Sequence, residues 1–243
     1  MDTFALHLFL HAAGSTGMVL WFLFRVRPKF PSALATGIVV VFAIMVVLFI
    51  DLIIEFAMAP LTGGVNTSLG YMFEISVTEE TLKILIVFLG IFIAREDSTW
   101  TDTRLTLALI AGIVFGIVEG LGYVFNYNYT PVETLILFAT RMHHAVLTVA
   151  LMAGILLITK GRKLAGTVIA VSPYLIHAFF DYFVSIRNYT GTSLMLIASF
   201  VMFFAGIRLL LPVIEEEKRA RERFEREATI GIEEHWLKKM ERP

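Results

Sequence analysis

Seven apolar stretches follow one another along the 243 residues, at 4–24, 33–59, 71–94, 105–126, 132–159, 164–185 and 193–214. Each is long enough to cross a hydrocarbon core of ~30 Å as a helix of about 20 residues. In lipid every backbone N–H and C=O must find a partner within the chain, so spans of this length are predicted to be helices. The fold class read from this pattern is all-α: a polytopic membrane protein with seven transmembrane helices and a charged cytoplasmic C-terminal helix. The 57% apolar content, 17% charged residues and mean hydropathy of +0.77 agree with it. Seventeen of the 41 charged residues fall in the last 29 positions, which divides the chain into a transmembrane domain, 1–214, and a charged tail, 215–243. Helix formers with Phe224 and Trp236 give the tail the character of an amphipathic or solvated helix at the inner surface.

The basic residues between the spans alternate. Arg25, Arg27 and Lys29, then Arg95 and Arg104, then Lys160, Arg162 and Lys163 lie on one side, against Arg187 alone on the other. The positive-inside rule therefore puts the N-terminus outside and the C-terminus in the cytoplasm of a multi-pass cell-membrane protein. Three Asn-x-Ser/Thr sequons, at Asn66, Asn128 and Asn188, all fall in the outer loops of this topology. A net charge of −1 gives no reason to expect a nucleic-acid partner. The absence of cysteine excludes disulfides, thiolate catalysis and Cys-ligated metals. The N-terminus lacks the basic region of a signal peptide and reads as a retained span.

Ionisable residues inside the spans carry the functional signal. Glu79, Glu80 and Lys83 lie within about one turn of the third span. Each would cost about 2.5–3.5 kcal/mol at the bilayer centre unless it faced protein, water or a partner. At i+4 and i+3, Lys83 reaches both glutamates and can neutralise one while leaving the other free. The fourth span has Gly112, Gly116 and Gly120 on a face open to close helix approach, with Glu119 beside it, Phe115 one turn before and Tyr123 one turn after. The fifth carries Arg141 and His144 on one face and His143 on another. The sixth carries His177 and Asp181 at i, i+4, after Pro173, which frees a carbonyl and predicts a local opening near His177. His7 and His11 on the first span, and Asp51 and Glu55 on the second, read as interfacial or packing pairs.

Depth joins these groups. Counted from the outer ends at 1.5 Å per residue, Glu79, Glu80, Glu119, His144 and His177 all lie roughly 10–18 Å below the outer boundary. The five charged groups Glu79, Glu80, Lys83, Glu119 and Arg141 would cost on the order of 15 kcal/mol in lipid, comparable with the whole stability of a domain, so they are predicted to converge on a hydrated cavity. Carboxylates and imidazoles there supply a base for water and donors for an oxyanion, and equally the ligands of a His/Glu zinc site.

The series Glu79-Glu80-x-x-Lys83, Phe115-x-x-x-Glu119, Arg141 followed by His144, and His177-x-x-x-Asp181, on successive helices, resembles the PrsW intramembrane proteases. It is more distantly similar to the CAAX prenyl endopeptidases and the bacterial self-immunity proteins. The resemblance covers about 70–185. It implies an endopeptidase that cuts a single-span membrane protein or membrane-bound peptide at the bilayer. CAAX endopeptidases have His where Glu119 stands, which disfavours a prenyl-peptide substrate, and the last motif usually ends in Asn where this chain has Asp181.

In the mechanism expected here Glu79 is the general base and Glu80 is paired with Lys83, with the exchanged assignment of the two glutamates left open. His144 and Glu119 position the water, and His177, oriented by Asp181, stabilises the oxyanion, with Lys83, Arg141, Phe115 and Tyr123 in support. No metal is favoured; a zinc variant would use His144, His177 and Glu119. Two other classes fit the same residues. One is a non-catalytic scaffold like the anterior-pharynx-defective subunit of γ-secretase, which has little reason to keep a glutamate pair. The other is an ion-coupled transporter, which would need polar paths on both sides of the membrane, whereas the inner halves of these spans are almost wholly apolar.

Overall fold

Within the described residues the apolar runs become helices. A computed structural model describes residues 3–53, 68–94, 100–126 and 128–240. Among these there are eight helices and no strand: α1 (Thr3–Val26), α2 (Ala33–Ile53), α3 (Leu69–Ala94), α4 (Thr101–Asn126), α5 (Pro131–Arg141), α6 (His143–Thr159), α7 (Lys163–Ser185) and α8 (Tyr189–Met240). Glu55, Asn66 and Arg95 lie outside the described residues, as do the side chains of His7, Asp51 and Trp236.

Among the described residues five stretches are long and apolar enough to cross a membrane: Phe9–Val26, Thr101–Phe125, Pro131–Thr159, Lys163–Ser185 and Tyr189–Glu227. The apolar α2, Ala33–Ile53, runs up to the limit of the described residues, and α3 carries Glu74, Glu79, Glu80 and Lys83. Of those four, Glu79, Glu80 and Lys83 are buried, so the outside of α3 is more apolar than its sequence. Large apolar side chains face outward along the bundle, among them Phe9, Leu20, Met45, Phe49, Phe92 and Ile197. Such a surface suits lipid and would be an aggregation liability in water.

The centre of the bundle is α6, in which fourteen of seventeen residues are buried. It packs against α4, α7 and α8 and touches α1 and α3. The small-residue face of α4 makes this possible. A Cβ at Gly112 would stand 2.5 Å from Ala145 Cα, and one at Gly116 would stand 2.2 Å from the Arg141 carbonyl oxygen. Both contacts are to backbone, which cannot move aside as a side chain can.

Two expectations need correction. The fifth span is not one helix: it breaks at Met142 into α5 and α6, beside the point where the Arg141 carbonyl rests on Gly116. Across it, Arg141 on α5 and His144 on α6 each stand against a different oxygen of Glu119. Thr130 starts α5 with a reciprocal capping box to Glu133 and Pro131 in the first turn.

The charged tail is not a separate water-facing element either. It continues the last span as one 52-residue helix, α8, with Pro212 inside it. Its early tail residues are docked. Glu217 accepts from Thr101 N (2.8 Å) and Lys160 Nζ (3.0 Å), and Arg221 donates to the buried Asp102 at 3.0 Å. Lys218 donates to the carbonyls of Val26 and Arg27. Residue 227 onward carries no such contact among the described side chains.

Candidate active site

Helical spacing builds the first half of the site. On α3, Lys83 folds back along one face and places its ammonium 2.7 Å from Glu80 Oε1 and 3.5 Å from Glu79 Oε2. Ser76, one turn earlier, donates to the Tyr174 carbonyl at 2.7 Å, tying α3 to α7 next to Pro173. That tie fixes the height at which Glu80 meets His177. His177 Nδ1 lies 2.9 Å from Glu80 Oε1, and its Nε2 lies 3.1 Å from Asp181 Oδ2 and 3.8 Å from Glu79 Oε2.

The second half comes from α4, α5 and α6. Glu119 accepts from Arg141 Nη1 at 2.9 Å with one oxygen and stands 2.7 Å from His144 Nε2 with the other. Arg141 also lies over the Tyr123 ring, 4.5 Å from its centroid. His144 Nδ1 is 2.8 Å from Lys83 Nζ, and this contact joins the halves. The imidazoles of His144 and His177 stand edge to face, with centroids 5.2 Å apart. Phe115 closes the floor: its ring lies 4.1 Å from the Lys83 ammonium and 5.5 Å from His144.

Glu79, Glu80, Glu119, His144, His177 and Asp181 are thus one contiguous cluster, with Lys83, Arg141, Phe115 and Tyr123 around it. Glu80 and Lys83 are wholly buried, whereas the side chains of Asp181 and Arg141 keep 25% and 18% exposure. The cluster therefore opens on the side of α5 and the end of α7. His143 does not join it: it packs on the opposite side of α6 against His11 and Phe180, at 5.4 and 4.6 Å between ring centroids. Ser76 was missed in the sequence, although its place one turn before the glutamates was a visible signal.

The residues present fit a divalent cation. Glu79, His144 and His177 each offer a ligand atom, all within 4.8 Å of one another and all buried. This grouping differs from His144, His177 and Glu119. Glu119 stands behind the His144 ring on Nε2, as outer carboxylates commonly hold metal-ligating histidines, and its other oxygen is taken by Arg141. Four carboxylates face two permanent cations, Lys83 and Arg141, and His177, with a carboxylate oxygen at each ring nitrogen, is a third, which leaves the cluster one negative charge to spare. Glu80 Oε2 is buried with no hydrogen-bond partner. Spare negative charge and orphaned carboxylate oxygens, Glu119 Oε2 among them, are what a bound dication would relieve.

Residues 29–207 match the family model described as PrsW family intramembrane metalloprotease. That range contains every residue of the cluster. Comparison with the curated proteins and with the solved structures found no match.

Proposed function

Since the chain belongs to the PrsW family of intramembrane metalloproteases, we propose that it is an endopeptidase cutting single-span membrane proteins or membrane-bound peptides, with the buried cluster on α3, α4, α6 and α7 as its active site. The observation that carries this reading is the convergence of four carboxylates and two imidazoles in one buried layer. No packing requirement explains so costly a group.

Glu79, His144 and His177 would hold a divalent cation, with zinc favoured by the donor set. When bound, such an ion lowers the pKa of its water and polarises the scissile carbonyl. The remaining residues orient and move protons. Glu119 Oε2 and Asp181 Oδ2 stand 2.7 and 3.1 Å from the Nε2 atoms of His144 and His177 and would hold both rings in place. Glu80, with one oxygen free of partners, is the carboxylate available to take a proton from the attacking water. Arg141 and Tyr123 line the open side, where a peptide carbonyl would arrive.

A second reading is the metal-free one expected from the sequence, with Glu79 as general base, His144 and Glu119 positioning the water and His177 holding the oxyanion. Its support is the Lys83 ammonium on His144 Nδ1, the side of the ring that would face a metal. In both readings residues 1–214 are the peptidase domain and 215–243 a cytoplasmic tail, with seven crossings, the N-terminus outside and the C-terminus inside. The docking of Lys218, Arg221 and Glu217 on residues 26–29, 101–102 and 160 supports placing those loops on the tail's side of the membrane.

The test is proteolysis by detergent-purified protein of a library of single-span membrane proteins, read by mass spectrometry for new termini. The expected result is cleavage that disappears on chelation and returns with zinc. Cleavage that survives complete stripping selects the glutamate reading. No cleavage of any substrate overturns both.

A further inference from the structure

His144 has one lone pair to give, and Lys83 holds it. Lys83 Nζ stands 2.8 Å from Nδ1 and an ammonium can only donate, so Nδ1 has the lone pair and the ring proton is on Nε2, 2.7 Å from a carboxylate oxygen of Glu119. The same ammonium reaches Glu79 at 3.5 Å, so it touches two of the three candidate ligands. It is wholly buried, with Phe115 beneath it.

We propose that Lys83 is the resident competitor for the metal position: a divalent cation takes His144 Nδ1 only when the Lys83 ammonium has left it. This inference rests on the metal-dependent reading above. Leaving does not strand the ammonium, because its shortest contact is with Glu80 Oε1 at 2.7 Å, which is not one of the three ligands. A swing about the flexible four-carbon stem can keep that pair while freeing His144 and Glu79. The spare negative charge, with the proton that His177 gives up when its ring becomes a ligand, lets the ammonium and a dication be present together. Lys83 is thus a positioning residue acting through His144, and metal affinity is set by the competition as well as by the donors.

The experiment uses full-length protein, purified in detergent and stripped of metal, titrated with Co²⁺ and read by the visible absorption that reports ligand type and geometry. His144→Ala defines which part of the signal belongs to the site. Lys83→Met should bind Co²⁺ about tenfold tighter than wild type or better, and Lys83→Arg about tenfold weaker, because a guanidinium forks onto the glutamates more firmly. Arg141→Met, which removes the same charge from the Glu119 side, should shift the affinity less than about threefold, since Arg141 touches no candidate ligand.

A Lys83→Met affinity no tighter than wild type overturns the proposal, as does an equal gain in Arg141→Met, which would make the effect one of charge alone. Should Lys83→Met fail to fold, Lys83→Arg decides: wild-type affinity there overturns the competition. If neither wild type nor any Lys83 variant shows a His144-dependent signal, the metal-dependent reading itself falls.

Discussion

The bundle buries ionic groups at two ends, and the two sets are built differently. At the tail's end each carboxylate oxygen has a partner. Asp102 Oδ1 accepts from Arg221 Nη2 and Thr103 N, and Oδ2 from Lys29 N and Arg221 Nη1. Glu217 divides its oxygens between Thr101 and Lys160. In the α3–α7 cluster four carboxylates share two permanent cations, and Glu80 keeps a buried oxygen with no partner. A saturated pair holds helices in place, whereas an unsaturated cluster with spare charge is held in place by the helices around it. On the proposed function, the unsaturated cluster is there for a ligand and the saturated carboxylates for the fold.

The sharpest test of the contrast removes one carboxylate from each end. Glu79→Gln should lower cleavage by on the order of 10²–10⁴, measured as the rate of new termini per folded enzyme. Its thermal unfolding should stay at or above wild type, because a neutral amide relieves the surplus charge and is cheaper to bury. Asp102→Ala should do the reverse. It leaves Arg221 buried beside the Trp100 ring without its carboxylate, a change that costs about 3–5 kcal/mol. Cleavage per folded molecule should be unchanged. If Glu79→Gln instead destabilises as strongly as Asp102→Ala, the cluster is part of the scaffold and the contrast fails.

The cluster was legible in the sequence to the extent that one helix or one depth determines it. The spacing i, i+3 and i, i+4 places Lys83 on the two glutamates and Asp181 on His177, and counting residues from the span ends puts all four motifs in one layer. What crosses between helices was not legible. Nothing near Lys83 says that His144 will meet it, and nothing near Glu119 says that Arg141 will take one of its oxygens and leave Glu79 to face the imidazoles. The break at Met142 has no proline or glycine to announce it; it lies beside the close approach of the Arg141 backbone to Gly116 on another helix. The docked tail was hidden for a similar reason. Arg219 and Arg221 look alike within a charge run, and only the position of Asp102 at the start of α4 separates a solvated arginine from a buried one.

The smallest effect is expected where the tail's end also carries an exposed pair. Lys29 Nζ and Glu225 Oε1 are 3.8 Å apart with side chains 56% and 60% exposed, so water and salt screen them and two long side chains must be ordered to form the pair. Lys29→Ala and Glu225→Ala should each change stability by less than about 1 kcal/mol, and the double variant should equal their sum. Lys29 does make one contact of consequence, but it is the backbone N–H to Asp102 Oδ2 at 3.2 Å, which alanine keeps. Thermal unfolding of the three variants beside Asp102→Ala checks the distinction. A loss in Lys29→Ala as large as that in Asp102→Ala would mean that the docking of α8 depends on its exposed charges, and the saturated carboxylate would no longer be what holds that end of the bundle.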